Sequence, residues 1–266
     1  MDLQLEGKRA LVTGGSKGIG RAIAHQLALE GAHVVISARD AKTLEAAAEE
    51  ISAETGRKVG FAVGDTGDDA SARAMVETAA KALGGLDILV NSAARPAGSA
   101  PPPTLETMTE QALWEEVNVK VMGYVRTAQA AAPYMIKAGW GRIINISGLN
   151  ARSSHSLVGS VRNVSVAAMT KNLADELGPK GINVTVVHPG LTRTERTPGM
   201  IAGIAQARGI TAEQAEAALT GGIVIGRMVD AAEIADIVAF LASPRSVAIT
   251  GDAIACGGGV KGSIYY

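Results

Sequence analysis

The chain has 266 residues, with 25 basic and 26 acidic side chains, a formal net charge of −1 at pH 7 and 47% hydrophobic residues. That length suits one large α/β domain, and the balanced, interspersed charge leaves no basic stripe of the kind that follows nucleic acid. No apolar run approaches the ~20 residues of a membrane span, the start Met1-Asp2-Leu3-Gln4-Leu5-Glu6 lacks the apolar core of a signal peptide, and the single cysteine, Cys256, excludes an intrachain disulfide and a cysteine-based zinc site. A cytoplasmic location and no membrane or nucleic-acid partner are therefore expected. His25, His33, His155 and His188 are scattered without metal-ligand spacing, so no metal site is expected either.

The first strand candidate, residues 9–13, runs into Thr13-Gly14-Gly15-Ser16-Lys17-Gly18-Ile19-Gly20, which opens a helix over 18–30. Glycines at this point let the backbone turn sharply and approach a bulky ligand. The N–H groups of the following helix start then face outward with partial positive charge, which suits a phosphate. The spacing is Gly-x3-Gly-x-Gly, and its place after a strand and before a helix is what gives it meaning.

Further strands are predicted at 33–38, 58–64, 87–91, 142–147, 183–188 and about 253–256, with helices at 41–54, 69–83, 109–138, 160–177 and 230–242. Most strands read as continuous apolar runs, as parallel strands buried on both faces do. Such alternation predicts one doubly wound parallel α/β sheet with helices on both faces and right-handed crossovers. Residues 94–103, rich in Pro, Gly, Ala and Ser, read as a loop. Residues 191–225 are longer than a simple connection and hold helical segments at 212–220 and around 198–207, which predicts a substrate lid.

Open α/β sheets bind ligands beyond the carboxyl ends of their strands. Six successive ends carry turn or hydrogen-bonding residues: the glycine loop, Ser37-Ala38-Arg39, Gly64-Asp65-Thr66, Asn91-Ser92-Ala93-Ala94, Asn145-Ile146-Ser147-Gly148, and His188-Pro189-Gly190-Leu191-Thr192-Arg193-Thr194. Together these residues resemble the short-chain dehydrogenase/reductase family over nearly the whole chain. The resemblance implies a single-domain Rossmann-like fold and a cofactor site built from Gly14, Ser16, Lys17, Gly18, Ile19, Gly20, Asp65, Thr66, Asn91, Ala93, Pro189, Gly190, Thr192 and Thr194. Asn91 also reads as a simple strand cap. Asn118 matches the helix asparagine of the family's catalytic tetrad, and Ser147 its serine, although a family serine would often fall one residue later, on Gly148. Arg39 after the second strand, with Lys17, suits a 2′-phosphate, so NADP(H) is preferred and NAD(H) is the alternative.

The pattern departs at the family's Tyr-x3-Lys pair. Counting back from Ala167-Ala168-Met169-Thr170-Lys171 puts the lysine position on Asn163 and the tyrosine position on Gly159; counting forward from Ser147 gives Ser160 and Val164. Neither register holds a tyrosine or lysine, and between Asn145 and Met169 the ionisable groups are Arg152, His155 and Arg162. Asn163 can hydrogen-bond a ribose hydroxyl but brings no charge. His155 and Arg162 are candidate replacements, with the terminal Tyr265 and Tyr266 a further one; Tyr134 sits mid-helix on a packing stretch. The expectation is an oxidoreductase with a non-standard or impaired acid/base site acting on a small-molecule substrate. The rivals are a cofactor-binding sensor or scaffold without turnover, and a lyase or isomerase on the same fold. The resemblance further implies a dimer or tetramer built on helices 109–138 and 160–177.

Overall fold

A computed structural model describes residues 1–95 and 103–264. The elements run β1 (Arg9–Thr13), α1 (Gly18–Leu29), β2 (His33–Ala38), α2 (Ala41–Thr55), β3 (Val59–Val63), α3 (Asp69–Leu83), β4 (Ile88–Asn91), α4 (Glu110–Glu116) and α5 (Gly123–Ala138). They continue through β5 (Gly141–Ile146), α6 (Leu157–Leu177), β6 (Ile182–Pro189), β7 (Thr192–Arg193), α7 (Thr197–Arg208), α8 (Ala212–Thr220), β8 (Val229–Asp230), α9 (Ala231–Ala242) and β9 (Ala253–Cys256). Seven strands form one sheet in the order β3-β2-β1-β4-β5-β6-β9, every pairing parallel.

Strand periodicity divides the core. Ala10 and Val12 of β1 pack with Val34, Ile36 and Ile144 against α1 and α9. Leu11, one step along, joins Val35, Leu89 and Ile143 against α3 and α5. Each fully buried Val, Leu or Ile contributes roughly 1.5–3 kcal/mol by leaving water, and few aromatics are needed to fill the space. No described helix is long and apolar enough to cross a membrane. At the amino ends of the strands, Arg9 clamps Asp87 through its backbone N–H (2.9 Å), Nε (2.8 Å) and Nη2 (2.6 Å).

The fold matches the predicted doubly wound sheet, and the predicted loop at 94–103 lies mostly outside the described residues, as do Tyr265 and Tyr266. The helix expected over 109–138 is interrupted. Between α4 and α5, Val117–Met122 forms a π-helical turn. β-branched Val117, Val119 and Val121 crowd a tight α turn, and π turns occur often at functional positions. The excursion after β6 contains both helical segments and also a two-strand ladder between β7 and β8. Ile201, Ala215 and Met228 give this lobe a small core of its own.

Candidate functional site

The end of β1 is a cradle that glycine alone fits. Gly14 has φ +67°, and a Cβ there would lie 2.9 Å from the Cα and N of Ala93. A Cβ on Gly15 would meet the Ile36 side chain at 2.7 Å, and one on Gly20 would overlap the Gly14 carbonyl. Thr13 Oγ1 accepts from Ser92 N (3.1 Å) and Ala93 N (3.2 Å), fastening the loop to the end of β4. Ser16 and Ile19 are half-buried along this loop. Lys17, exposed, stands at the N-cap of α1 with no side-chain capping bond. Gly18 N donates instead to Glu195 Oε2 at 3.2 Å, so a carboxylate from the lobe after β6 reaches the positive end of α1.

Arg39 is exposed at the end of β2. The adjacent Asp40 is committed elsewhere: its Oδ1 accepts from Thr43 N (2.8 Å), capping α2, and from the Thr43 hydroxyl. The Thr43 bonds, with the charges of Lys17 and Lys42, hold the Asp40 carboxyl below its ordinary range. Beyond β3, Asp65 Oδ1 accepts from Gly67 N (2.8 Å) and Thr66 Oγ1 donates to Val119 O (3.1 Å). Asn91 is fully buried and spends its side chain inside the fold. It donates to Asn145 Oδ1 (3.0 Å) and accepts from Thr127 Oγ1 (2.7 Å), while Asn145 donates to Thr170 Oγ1 (2.9 Å). That network ties β4, β5, α5 and α6 together.

At the end of β5, Ser147 Oγ donates to the Asn163 backbone carbonyl (3.1 Å). A Cβ on Gly148 would lie 2.9 Å from Asn163 Nδ2, so Asn163 faces the Ser147-Gly148 turn. Asn163 is buried, and its Oδ1 has no partner among the described residues. Gly159, one helical turn earlier, is buried behind Asn150, whose Nδ2 would stand 2.8 Å from an added Cβ. The 159/163 register therefore faces the site, whereas Val164 is exposed.

Asn118 is not brought to Ser147. Its Nδ2 donates to Gly67 O (2.8 Å) and its Oδ1 accepts from Arg126 Nη2 (2.8 Å). The π turn presents Lys120 to β5 instead: buried, with Nζ donating to Ser147 O at 2.9 Å. Burial, with the nearby Arg162 charge, pushes the Lys120 amine down to about 7. Arg162 pairs with Glu116 at the end of α4 and leaves Nε unpartnered among the described residues. His155 is exposed in the turn before α6, and Tyr134 is packed beside the core between α3 and α5.

His188, at the end of β6, is buried with Nδ1 unpartnered among the described residues. Burial, then the charges of Arg152 and Lys120, push it down to about 4. Gly190 is needed for close approach, since a Cβ would meet Gly257 Cα at 2.7 Å. Pro189 ends β6 against Cys256 of β9. Thr192 Oγ1 donates back to Gly190 O (3.1 Å), and Thr194 Cγ2 lies 3.6 Å from the position of a Cβ on Gly18. The chain after β6 thus folds back over the glycine loop. Lys120 and Asn150 enter the site from outside the residues predicted from the sequence; a lysine set between Val119 and Val121 is the available signal for the first.

With the strand ends, glycine cradle and α6 register in place, the class is defined: residues 8–203 match the short chain dehydrogenase family, and the chain belongs to it. It is 36% identical over 261 residues to an uncharacterized oxidoreductase of Methylorubrum extorquens, covering 97% of this chain and 99% of that one. It is 33% identical over 265 residues to the 3-oxoacyl-[acyl-carrier-protein] reductase of Aquifex aeolicus, covering 98% and 100%. Among solved structures, L-sorbose reductase from Gluconobacter frateurii, complexed with NADPH and L-sorbose, superposes with a TM-score of 0.92 at 29% identity over 99% of this chain and 100% of that chain.

Proposed function

We propose that this protein binds NADP(H) across the ends of β1 to β6 and is an oxidoreductase with an altered acid/base site. The single observation that carries the altered site is the face of α6: Gly159 and Asn163 occupy it, Asn163 turned to the Ser147-Gly148 turn. Neither side chain can give or take a proton at neutral pH.

The residues fit the cofactor. Gly14, Gly15 and Gly20 let the loop pack tightly against Ala93, Ile36 and its own turn, and Gly18 leaves room in front of it, with only Thr194 Cγ2 near the position of a Cβ, at 3.6 Å. The first turn of α1 has no side-chain cap of its own. Gly18, Ser16 and Ile19 would hold the pyrophosphate, Arg39 and Lys17 a 2′-phosphate, Asp65 and Thr66 the adenine, and Asn163 with Pro189, Gly190, Thr192 and Thr194 the nicotinamide half. The NADPH in the Gluconobacter reductase supports the same preference here; NAD(H) is the alternative. When bound, the nicotinamide would donate or accept a hydride. Ser147 and Asn163 position, the lobe at 191–225 covers the substrate as a lid, and Arg162 is held by Glu116 rather than free to polarise an oxygen.

Leu157, Val161 and Val164 form an exposed apolar stripe on α6, which supports a homodimer or tetramer through this helix. A second reading, a cofactor-binding sensor or scaffold without turnover, is favoured by the same Gly159. The deciding measurement is a thermal shift with NADPH at a hundredfold excess over Kd, where stabilisation of about 2.7 kcal/mol is expected. No shift overturns the cofactor reading. Turnover on aldehydes, ketones and alcohols should be weak, and fast turnover would remove the altered-site reading.

A further inference from the structure

We infer that Lys120 is a positioning residue of this site: from the π turn facing α6 it supplies beside Ser147 the positive charge that Asn163 does not, and its protonation sets the preference for reduced over oxidised nicotinamide. The inference rests on the cofactor reading above.

The first ground is the unexplained burial. Lys120 is 4% exposed. Among the described residues, only one hydrogen bond uses its three donors, the one to Ser147 O. Burying an amine so sparsely partnered costs folding stability, and groups kept at that cost concentrate at functional sites. Nothing in the packing requires an amine here; a methionine has nearly the same length.

The second ground is convergence on one turn. Lys120 Nζ holds the carbonyl of Ser147 from the π turn, and the Asn163 backbone carbonyl meets the same residue from α6, accepting from its hydroxyl at 3.1 Å. The Asn163 Oδ1 is buried without a partner. The π turn makes this placement: Asn118 is tied to Gly67 and Arg126, while the residue two positions on points at the sheet. The Glu116–Arg162 pair bridges the start of the π turn to α6.

The third ground is the electrostatic surroundings. Lys120 faces Arg162 of α6 and Glu116 of α4. Its charge also acts on His188 of β6, which in turn feels Arg152 from the turn after β5. Tyr124 on α5 is neutral, its hydroxyl donating to Ile146 O at 2.9 Å. Burial, with the Arg162 charge outweighing that of Glu116, brings the amine into the neutral range, where its charge changes under ordinary conditions. His188 directly precedes Pro189-Gly190, the segment assigned to the nicotinamide. A cationic ring there is opposed by protonated Lys120; a neutral reduced ring is not.

The test is the ratio of Kd for NADP⁺ to Kd for NADPH, measured by calorimetry from about pH 5.5 to 8.5. In wild type the ratio should fall roughly tenfold across that range, as expected for one charge at intermediate screening. Lys120→Arg should keep a high, flat ratio, and Lys120→Met a low, flat one. Lys120→Met combined with Asn163→Lys should restore a pH-dependent ratio from the opposite helix. In ¹³C-lysine-labelled protein, one side chain should titrate near neutral pH and be absent from Lys120→Arg, a readout that needs neither binding nor folding of the methionine variant. A flat wild-type ratio, or a pH-dependent ratio that survives in Lys120→Met, overturns the inference while the cofactor reading stands. If neither form of the cofactor binds, both fall together.

Discussion

The end of β1 and the end of β5 flank the end of β4 at the same edge of one sheet, yet they offer different surfaces. At β1 the backbone is the surface: Gly14, Gly15 and Gly20 exist to be without side chains, and the N–H groups of α1 point outward. At β5 side chains reach the surface: the Ser147 hydroxyl, the Asn163 amide and a lysine delivered from another helix. Backbone sites tolerate almost no substitution, because every residue larger than glycine collides. Side-chain sites can be rebuilt by exchange, and α6 carries glycine and asparagine at positions 159 and 163. A binding site and a reaction site on one sheet can therefore diverge independently.

The sharpest way to break that comparison is to install a tyrosine and a lysine on the site-facing register of α6. Gly159→Tyr with Asn163→Lys should raise carbonyl reduction by about 10²–10⁴-fold, the usual worth of a positioned general acid. Asn150→Ala belongs in the same background, since Asn150 Nδ2 crowds position 159. Steady-state rates on a ketone panel read it; no gain would mean that another acid is already in place.

Next in size is the cradle. Gly14→Val forces a β-branched residue into φ +67° and into the Ala93 backbone. We expect a loss of about 3 kcal/mol in chemical denaturation and a loss of NADPH binding beyond a hundredfold. Unchanged affinity would show that the loop is only a turn.

His188 tests the reaction side by pH. Its folded value of about 4 lies below the ordinary 6.5, so the unfolded chain takes up the proton first. Stability should fall by about 2 kcal/mol as pH drops from about 6.5 towards 4, and His188→Gln should remove that slope in pH-dependent unfolding. An unaltered slope would place the acid sensitivity elsewhere.

Smaller effects return to the cradle. Arg39→Asp should narrow or reverse the NADPH-to-NADH affinity ratio by roughly tenfold, about 1.4 kcal/mol; an unchanged ratio removes Arg39 from the 2′-phosphate. Glu195→Gln should tighten NADPH binding about threefold, because the carboxylate on Gly18 N repels a pyrophosphate at the same helix end. Weaker binding in this variant would instead make Glu195 a favourable contact.

Much of the molecule was legible from residue order. Strands β1, β2 and β9 and helices α3 and α8 have the predicted bounds, because apolar runs, caps such as Asp68 and glycines such as Gly84 are local signals. The cradle was legible for the same reason, since glycine spacing reports on backbone conformation directly. The catalytic side was legible only as an absence. No local rule says that Val117–Met122 widens into a π turn, that Asn118 turns to Gly67, or that Lys120 reaches Ser147 across 27 positions of sequence. Nor does any local rule pair Glu195 with Gly18, 177 positions away.

The sequence alone determined the doubly wound sheet, the place of the glycine cradle and the glycine and asparagine at positions 159 and 163 of α6. Those follow from periodicity, turn chemistry and composition, which act over a few residues. Only the tertiary structure decided which side chains share the Ser147-Gly148 turn and what charge they carry there. Burial and the company of Arg162 and Glu116 set the state of Lys120, and those are properties of packed neighbours rather than of any segment of chain.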